Sequence, residues 1–233
     1  MKTMCNWLVV SMAFVCVALV GCGDDDGSGG SGADAAALMD AMANPTGAVT
    51  SAEGAQGVTA AFAEKLSAAS GGSSSKAGSC SPDQPDVAKT CDCEAGGTET
   101  VLAHGDESAY TVDFTFNECC DSADSCCWTG SGWVAGSGSE GAAYSSCNSF
   151  DIDLTCPDAT NDGSISLASC QDGEGVQWYL VEYEGETYSV SGSYSSGAGG
   201  TWIIRDATTT WECTEDAAGA GSCTDGTNTY SWT

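Results

Sequence analysis

The sequence predicts a mainly β protein, an antiparallel meander that forms a sandwich, a curved open sheet or a barrel, with two short helices before it. From about residue 99, apolar and polar residues alternate with period two, the pattern of a strand with one solvated face. Turn dipeptides separate these segments, with no helical pattern between them. Twelve cysteines after residue 79 predict that disulfides stabilise a thin core.

The first 21 residues have the three parts of an export signal. Lys2 stands in a short n-region, an apolar core runs from Trp7 to Val20, and small residues follow. The core has about 14 residues, fewer than the roughly 20 that a helix needs to cross a bilayer. Residues 1–21 are therefore predicted to be a cleaved signal peptide.

The apolar core ends in Leu19-Val20-Gly21-Cys22. This tetrapeptide resembles the bacterial lipobox, and the resemblance implies cleavage before Cys22 and attachment of acyl chains, such as palmitate, to that cysteine. Stable anchoring takes more than one chain, and a lipobox cysteine carries several. In that family, Gly rather than Asp at position 23 implies sorting to the outer membrane, facing the periplasm or the cell surface. An ordinary secretory signal that contains a cysteine is the alternative.

The segment after the signal changes from a tether to a helix. Residues 22–32 are Asp, Gly and Ser after the cysteine, a composition typical of a flexible tether. Ala35, Leu38 and Met42 then follow at helical spacing, and Pro45 ends the pattern.

A second helix is predicted within the helical segment 33–70. Apolar residues recur at steps of three and four between Ala55 and Ala69, and Thr50 with Glu53 has the spacing of a capping box. We expect this helix to pack on the sheet or on the first helix; a helix that binds a partner is the alternative.

Residues 71–98 predict a Ser/Gly linker followed by an irregular segment rich in Pro, Asp and Cys. We expect its cysteines to pair with cysteines beyond residue 118, which would pin the segment to the β-domain. That domain is predicted to occupy residues 99–233.

Two strands are clearest, at 110–117 and 150–156, where every second residue is apolar. The stretch Val176 to Tyr183 is apolar on both sides and predicts a central or doubly covered strand. Glu184-Gly185 and Asp225-Gly226 predict tight turns, the second being a dipeptide that type I′ turns favour. Further strands are predicted at Gly132 to Ala135, Ser164 to Ala168, Thr187 to Tyr194, Thr201 to Arg205, Thr208 to Thr214 and Thr227 to Trp232.

The charge of the chain restricts its partners. The formal net charge is −28, and all 33 acidic residues follow residue 23. Because phosphate binding requires clusters of Lys and Arg, nucleic acid is not an expected partner. The membrane is expected to be reached through the lipid anchor, and an envelope protein or glycan is a possible further partner. A saline habitat or divalent cations would screen the self-repulsion, as a hypothesis.

The cysteines of an exported protein are expected to form disulfides. Removing the signal and counting Cys22 as lipidated leaves an even set, enough for six bonds, whose connectivity the sequence leaves open. A metal site formed by Cys91, Cys93 and the two vicinal pairs is the alternative, although zinc prefers other spacings. The candidates are Cys80, Cys91, Cys93, Cys119, Cys120, Cys126, Cys127, Cys147, Cys156, Cys170, Cys213 and Cys223.

No residue is predicted to be catalytic. His104 is the only histidine and, beside Gly105-Asp106, is predicted to lie in a solvated loop, although Ser108 is near enough in sequence to suggest a hydrolytic triad. Asp151 and Asp153 project from one strand face and resemble a glycosidase pair. In so acidic a chain such pairs arise by chance, and a solvated negative face is the simpler interpretation.

Calcium is the one cofactor considered, because it takes six to eight oxygen ligands. The best local cluster is Asp158, Asn161 and Asp162 around a turn, with Asp151 and Asp153 nearby. Ordinary turn chemistry explains the same residues without a metal.

Aromatic residues suggest a second kind of site. Exposed Trp side chains stack on sugar rings, and Trp128 and Trp133, in a Gly/Ser-rich region, are the best candidates. The alternative is that the aromatic residues form the core.

The layout resembles cysteine-rich β-meander lipoproteins of the cell envelope, to which no activity is assigned. The resemblance rests on the lipobox, the acidic tether, the Ala-rich helices and the strand at 110–119. We expect a lipid-anchored envelope protein whose acidic, disulfide-rich β-domain is a structural or interaction module without catalysis. The alternative is a domain that binds carbohydrate or a small apolar ligand through sheet aromatics. A carboxylate hydrolase is a third possibility.

Overall fold

The structure, a computed structural model, describes residues 31–71, 80–105, 109–120, 122, 125–137, 144–195 and 197–233. The predicted signal peptide, Cys22 and the tether up to residue 30 lie outside the described residues, as does the linker at 72–79. Neither helix that the structure describes is both long enough and apolar enough to cross a membrane.

Two helices precede twelve strands. Helix α1 is Ser31–Ala43 and helix α2 is Ala52–Gly71. The strands are β1 Lys89–Asp92, β2 Thr98–Gly105, β3 Ala109–Cys120, β4 Cys127–Ser137, β5 Tyr144–Thr155, β6 Gly163–Asp172, β7 Gln177–Tyr183, β8 Glu186–Ser195, β9 Gly199–Arg205, β10 Thr210–Glu215, β11 Gly221–Thr224 and β12 Thr229–Trp232. A short 3₁₀ helix, Ala159–Asn161, lies between β5 and β6.

All twelve strands belong to one antiparallel sheet, and their order in the sheet is their order in the sequence. This confirms the predicted antiparallel meander and its two N-terminal helices. Of the predicted forms it is the open sheet, with β1 and β12 at its edges. Short loops favour this order, because each strand meets its sequence neighbour first.

Helix α2 packs on one face of the sheet. Its fully buried Val58 and Phe62 join a core cluster that includes Val181 of β7 and Ile204 of β9. The ring centroid of Phe62 lies 5.7 Å from that of Tyr179. The predicted helix therefore packs on the sheet.

Helix α1 packs on the opposite face. Its Leu38 and Met42 form a cluster with Trp178 of β7 and with the disulfide of Cys147 and Cys170. Side chains alternate between the two faces of a sheet along each strand. Trp178 and Val181 are three residues apart on β7, so Trp178 faces α1 and Val181 faces α2. The strand at Val176 to Tyr183 is thus covered on both sides, as the sequence predicted, although Val176 itself precedes β7 and is 39% exposed.

The connection between the helices crosses one end of the sheet. The N–H of Gly47 donates to the carbonyl of Thr187, and the N–H of Val49 donates to Oδ2 of Asp206. A Cβ atom on Gly47 would lie 2.2 Å from the Tyr188 ring, so this close approach requires glycine.

Six disulfides join all twelve predicted cysteines, which confirms the disulfide expectation: Cys80–Cys91, Cys93–Cys119, Cys120–Cys127, Cys126–Cys156, Cys147–Cys170 and Cys213–Cys223. The expected partner beyond residue 118 is right for Cys93 and wrong for Cys80 and Cys91, which bond to each other within the segment. That segment also contains β1, so it is not wholly irregular: pairing with β2 orders four residues that carry no clear pattern.

Two local predictions, the cap of α2 and the turn type at Asp225-Gly226, are wrong. The N-cap of α2 is Ser51, whose Oγ accepts a hydrogen bond from the N–H of Gly54, and not Thr50. The type I′ geometry lies at Glu184-Gly185, where both residues have positive φ, 54° and 81°. At 225–228, Oδ1 of Asp225 accepts from two backbone N–H groups of a four-residue loop, and only Gly226 has positive φ.

Candidate interaction surfaces

The first candidate surface is a polar face of the sheet on the side that carries α1. One row of side chains runs in register across β1 to β6, and a shorter parallel row lies two residues along the strands. We call these residues the hydroxyl face: Thr90, Thr100, Thr115, Ser131, Asp151 and Ser166 in the first row, and Thr129, Asp153 and Ser164 in the second.

The hydroxyl face is open to solvent, since all its residues except half-buried Thr100 are exposed. Neighbouring strands lie about 4.8 Å apart and alternate residues about 6.7 Å apart, so hydroxyls and carboxylates stand at regular intervals. Asp151 lies between Ser131 and Ser166, and Asp153 lies between Thr129 and Ser164. Such a surface can donate and accept hydrogen bonds, and its carboxylates attract cations.

The calcium candidates are distributed over two kinds of structure. Asp151 and Asp153 lie on β5, whereas Asp158 and Asp162 stabilise the loop that follows, and Asn161 ends the 3₁₀ helix. Among the residues that the structure describes, no three His, Cys, Asp or Glu side chains form a group suited to a metal ion. Calcium binding stays a prediction.

The two loop carboxylates accept hydrogen bonds from the chain itself. Oδ1 of Asp158 accepts from the N–H and the hydroxyl of Thr160, and the backbone hydrogen bond is the main reason that the pKa of Asp158 is lowered. Oδ1 of Asp162 accepts from the N–H of Cys156 at 2.7 Å. Turn chemistry therefore accounts for these contacts.

The second candidate surface is an aromatic cluster on the other side of β3 to β5. The ring centroid of Phe116 lies 6.4 Å from that of Phe114 and 6.0 Å from that of Trp128, and Phe114 lies 6.2 Å from Phe150. Phe116 is buried, while the other three are half-buried. We call these four residues the aromatic cluster; the alternation of Phe114 and Phe116 with polar residues was its sequence signal.

The two candidate sugar-binding tryptophans do not form one platform. Trp128 belongs to the aromatic cluster, whereas Trp133 is half-buried against the cluster of Met42 and Trp178 under α1. They are five residues apart on one strand, and an odd separation places them on opposite faces.

His104 differs from its prediction. His104 lies in β2 and not in a loop, because β2 continues past it to Gly105. Its Nδ1 hydrogen-bonds Oδ1 of Asp86, and its Nε2 lies 3.6 Å from Oδ2 of Asp113. The imidazole thus connects two carboxylates at one edge of the sheet, and Ser108 lies outside the described residues.

Each Lys or Arg that the structure describes makes a contact within the molecule. Lys65 donates to the carbonyl of Ser166 at 2.8 Å, and burial is the main cause that lowers its pKa. Lys89 pairs with Asp83 at 2.8 Å, and Arg205 stacks on Trp178. The described positive charges are therefore used in contacts within the molecule, two of which are exposed hydrogen bonds.

Several aspartates have a structural role in hairpins. Asp172 ends β6, while Asp206, Asp216 and Asp225 each follow a strand. Each of the four accepts hydrogen bonds from backbone N–H groups two to four residues later. Side chains of this kind stabilise turns. Part of the acidic composition thus builds the meander.

Comparisons with protein-family models, with curated proteins and with solved structures found no match for this chain.

Proposed function

We propose that this chain is a lipid-anchored protein of the outer membrane whose β-domain is a non-catalytic structural or interaction module. The observation that carries the proposal is the hydroxyl face, an exposed, in-register array of hydroxyls and carboxylates beside the part of the sheet that α1 covers. The lipobox resemblance of residues 19–22 supports the anchor.

The charges of the molecule favour a partner with positive groups. The charged groups of Lys65, Lys89 and Arg205 contact the carbonyl of Ser166, the carboxylate of Asp83 and the ring of Trp178, and none of these contacts is with the carboxylates of Asp151 and Asp153 on the hydroxyl face. A partner that carries amino groups, such as a cationic envelope polymer or a basic protein surface, gains Coulomb attraction there and hydrogen bonds from the neighbouring hydroxyls.

The anchor is tested with Cys22→Ser. The wild-type chain should take up labelled palmitate and fractionate with outer membranes, whereas the variant should be unlabelled and soluble. The variant should keep the wild-type circular dichroism spectrum, because the twelve cysteines from Cys80 onward pair among themselves. A membrane-bound, unlabelled variant would contradict the anchor.

The interaction face is tested on the soluble Cys22→Ser chain with isolated cell-envelope fractions. Asp151→Lys should weaken co-sedimentation several-fold, because it reverses a charge within the hydroxyl face. Glu212→Lys is the matched control, since it makes the same change at an exposed strand residue of β10. Equal losses in the two variants would show that net charge, and not this face, governs binding.

The aromatic cluster favours a second function, the binding of a small apolar ligand. Phe114, Trp128 and Phe150 are half-buried on one side of the sheet. A ligand seated there should change Trp128 fluorescence, and Trp128→Phe should abolish that change, with Trp133→Phe as the control on the opposite face. A signal lost equally in both variants would count against the cluster.

A further inference from the structure

One corner of the sheet carries three disulfides in succession. One bond joins the C-terminal end of β3 to the N-terminal end of β4, and the other two join these ends to the segments that follow β1 and β5. Each bond shares a pair of adjacent cysteines with the next bond, at the end of β3 or at the start of β4. We call this group the disulfide corner: Cys93–Cys119, Cys120–Cys127 and Cys126–Cys156.

Two bonds of the corner, Cys120–Cys127 and Cys126–Cys156, differ in burial from the two disulfides under the helices. Cys120, Cys126, Cys127 and Cys156 are all half-buried. By contrast, the two disulfides that lie under the helices are closed to solvent: Cys147 and Cys170 are 1% and 0% exposed, and Cys213 and Cys223 are 2% and 0% exposed.

A cavity of about 310 Å³ opens at the same corner. Cys120, Cys127 and Cys156 line it, together with Ala95 and Pro157. Disulfide exchange requires a thiolate to reach a sulfur atom, so access decides which bond reacts first. The cavity gives such access to the corner.

The fold does not depend on Cys120–Cys127 alone. Strands β3 and β4 are in register from Ala109–Ser137 to Phe116–Gly130 and again at Cys119–Trp128, besides the Cys120–Cys127 pair itself. The neighbouring bonds hold β3 to Cys93 and the start of β4 to Cys156. Opening this one bond should therefore leave the sheet folded.

We propose that Cys120–Cys127 is a thiol-exchange site that reacts with uncharged or cationic thiols. The incoming thiolate bonds to the sulfur of Cys120, the Cys120–Cys127 bond breaks, and its electron pair leaves on Cys127 as a thiolate. One S–S bond forms as one breaks, so the protein is modified without net oxidation or reduction.

The released Cys127 thiolate has a neighbour to attack. Cys126 is adjacent in the chain, and Cys127 is in register with Thr155, the residue before Cys156. Attack on the sulfur of Cys156 forms Cys127–Cys156 and releases Cys126 as the thiolate. The new bond is a product that the starting connectivity does not contain.

The charge of the incoming thiol should matter. Glu94 and Glu118 adjoin two cysteines of the corner in sequence, and the chain as a whole is strongly acidic. Because the thiolate is the species that attacks, glutathione, which also carries carboxylates, is repelled most, 2-mercaptoethanol is repelled less, and cysteamine, whose ammonium offsets the thiolate charge, is repelled least. Because salt screens these forces, the difference among the three should shrink at high ionic strength.

The experiment uses the soluble Cys22→Ser chain, a short exposure to each thiol, alkylation and mass mapping. The half-buried cysteines Cys120, Cys126, Cys127 and Cys156 should be labelled at least about tenfold faster than Cys147, Cys170, Cys213 and Cys223, as access predicts. Cysteamine should exceed glutathione at low salt, and a peptide pair linked through Cys127 and Cys156 should appear.

Equal labelling of all cysteines, or labelling that occurs only with loss of the folded circular dichroism signal, would overturn the proposal. The double variant Cys126→Ser/Cys156→Ser separates the steps: Cys120 and Cys127 should still react, but the new linked pair should be missing. If this variant does not fold, the wild-type map still decides the proposal.

Discussion

The guanidinium of Arg205 lies over the ring of Trp178, 3.5 Å from its centroid. The indole N–H of the same tryptophan donates to Oδ2 of Asp172 at 3.0 Å. Trp178 is 3% exposed and contacts Met42 of α1, so this stack connects β7, β9 and the first helix. The only arginine of the chain thus supports the packing between α1 and the sheet.

Replacing Arg205 should therefore lower the free energy of unfolding. A cation over a partly desolvated Trp ring contributes about 0.5–2 kcal/mol, and Arg205→Ala should lose this amount in urea denaturation. Arg205→Lys should recover only part of it, because an ammonium lacks the planar stack. Lys89→Ala, which removes an exposed ion pair, is the control and should cost at most about 1 kcal/mol. Equal losses in Arg205→Ala and Lys89→Ala would contradict this assignment.

Asp206 should be the most sensitive of the turn aspartates. It is 7% exposed, and its Oδ2 accepts from the N–H of Val49 and from Nε1 of Trp211. In Asp206→Asn, one oxygen becomes an amide NH₂, which cannot accept a hydrogen bond and would face either these two donors or the N–H groups of the turn. Leaving these buried donors unsatisfied should cost about 2–5 kcal/mol. Asp216→Asn is the control: only Oδ1 of this exposed residue accepts turn N–H groups, so its loss should stay below about 1 kcal/mol. Similar losses in both would refute the buried network.

The same carboxylate predicts how stability depends on acid. Burial opposes ionisation of Asp206, but hydrogen bonds from Val49, Thr208, Trp211 and Thr209 outweigh it and lower its pKa. A lowered pKa in the folded state stabilises the protein above the unfolded value of about 3.9, and this contribution is lost as pH falls through the folded pKa. In urea unfolding between about pH 6 and pH 2, the contribution of Asp206 to stability should decline below about pH 4, although protonation of exposed carboxylates also relieves their mutual repulsion. The free energy of unfolding should fall less steeply with decreasing pH in Asp206→Asn than in the wild type. Parallel curves for the two proteins would assign the pH dependence to other groups.

Two glycines of α2 should respond in opposite directions to alanine. A Cβ on Gly54 would meet only Oγ of Ser51, at 3.5 Å, so Gly54→Ala should stabilise the helix by up to about 1 kcal/mol. A Cβ on Gly57 would lie 2.2 Å from the Tyr183 ring, so Gly57→Ala should destabilise the protein. Thermal unfolding measures both, and Gly57→Ala/Tyr183→Ala should relieve the clash. A stabilising Gly57→Ala would show that Tyr183 moves aside without cost.

The meander could be predicted because its strongest strands carry their own pattern. Phe114 and Phe116 alternate with polar residues, and the structure places them on one face. The same rule separates Trp128 from Trp133, since an odd spacing puts them on opposite faces. That information was present in the sequence before any fold was known.

Other features depend on register, which sequence pattern alone does not fix. Strand β11, Gly221–Thr224, has no apolar alternation; it is ordered because Cys223 lies opposite Cys213 of β10 and bonds to it. The row that contains Ser131, Asp151 and Ser166 exists only because β4, β5 and β6 align there. The pairing of the cysteines also depends on strand register. It could not be predicted from the sequence, since twelve cysteines allow about ten thousand pairings.

Salt should stabilise this protein. The chain has 33 acidic residues against five Lys and Arg, and the described positive side chains are paired within the fold, so the remaining carboxylates repel one another. The Debye length falls from about 10 Å at 0.1 M to about 3 Å at 1 M, which screens repulsion between exposed charges. The melting temperature should therefore rise with NaCl concentration, as differential scanning calorimetry can measure.

Two comparisons separate charge screening from other causes of the rise in melting temperature. Sucrose at matched osmolality controls for exclusion of solute from the surface, and it should raise the melting temperature less than NaCl does. Calcium chloride at the same ionic strength as NaCl tests the calcium hypothesis. A larger shift with calcium that Asp158→Asn reduces would indicate a specific site at the loop after β5. An equal shift would assign the whole effect to screening, and a melting temperature independent of salt would refute the self-repulsion argument itself.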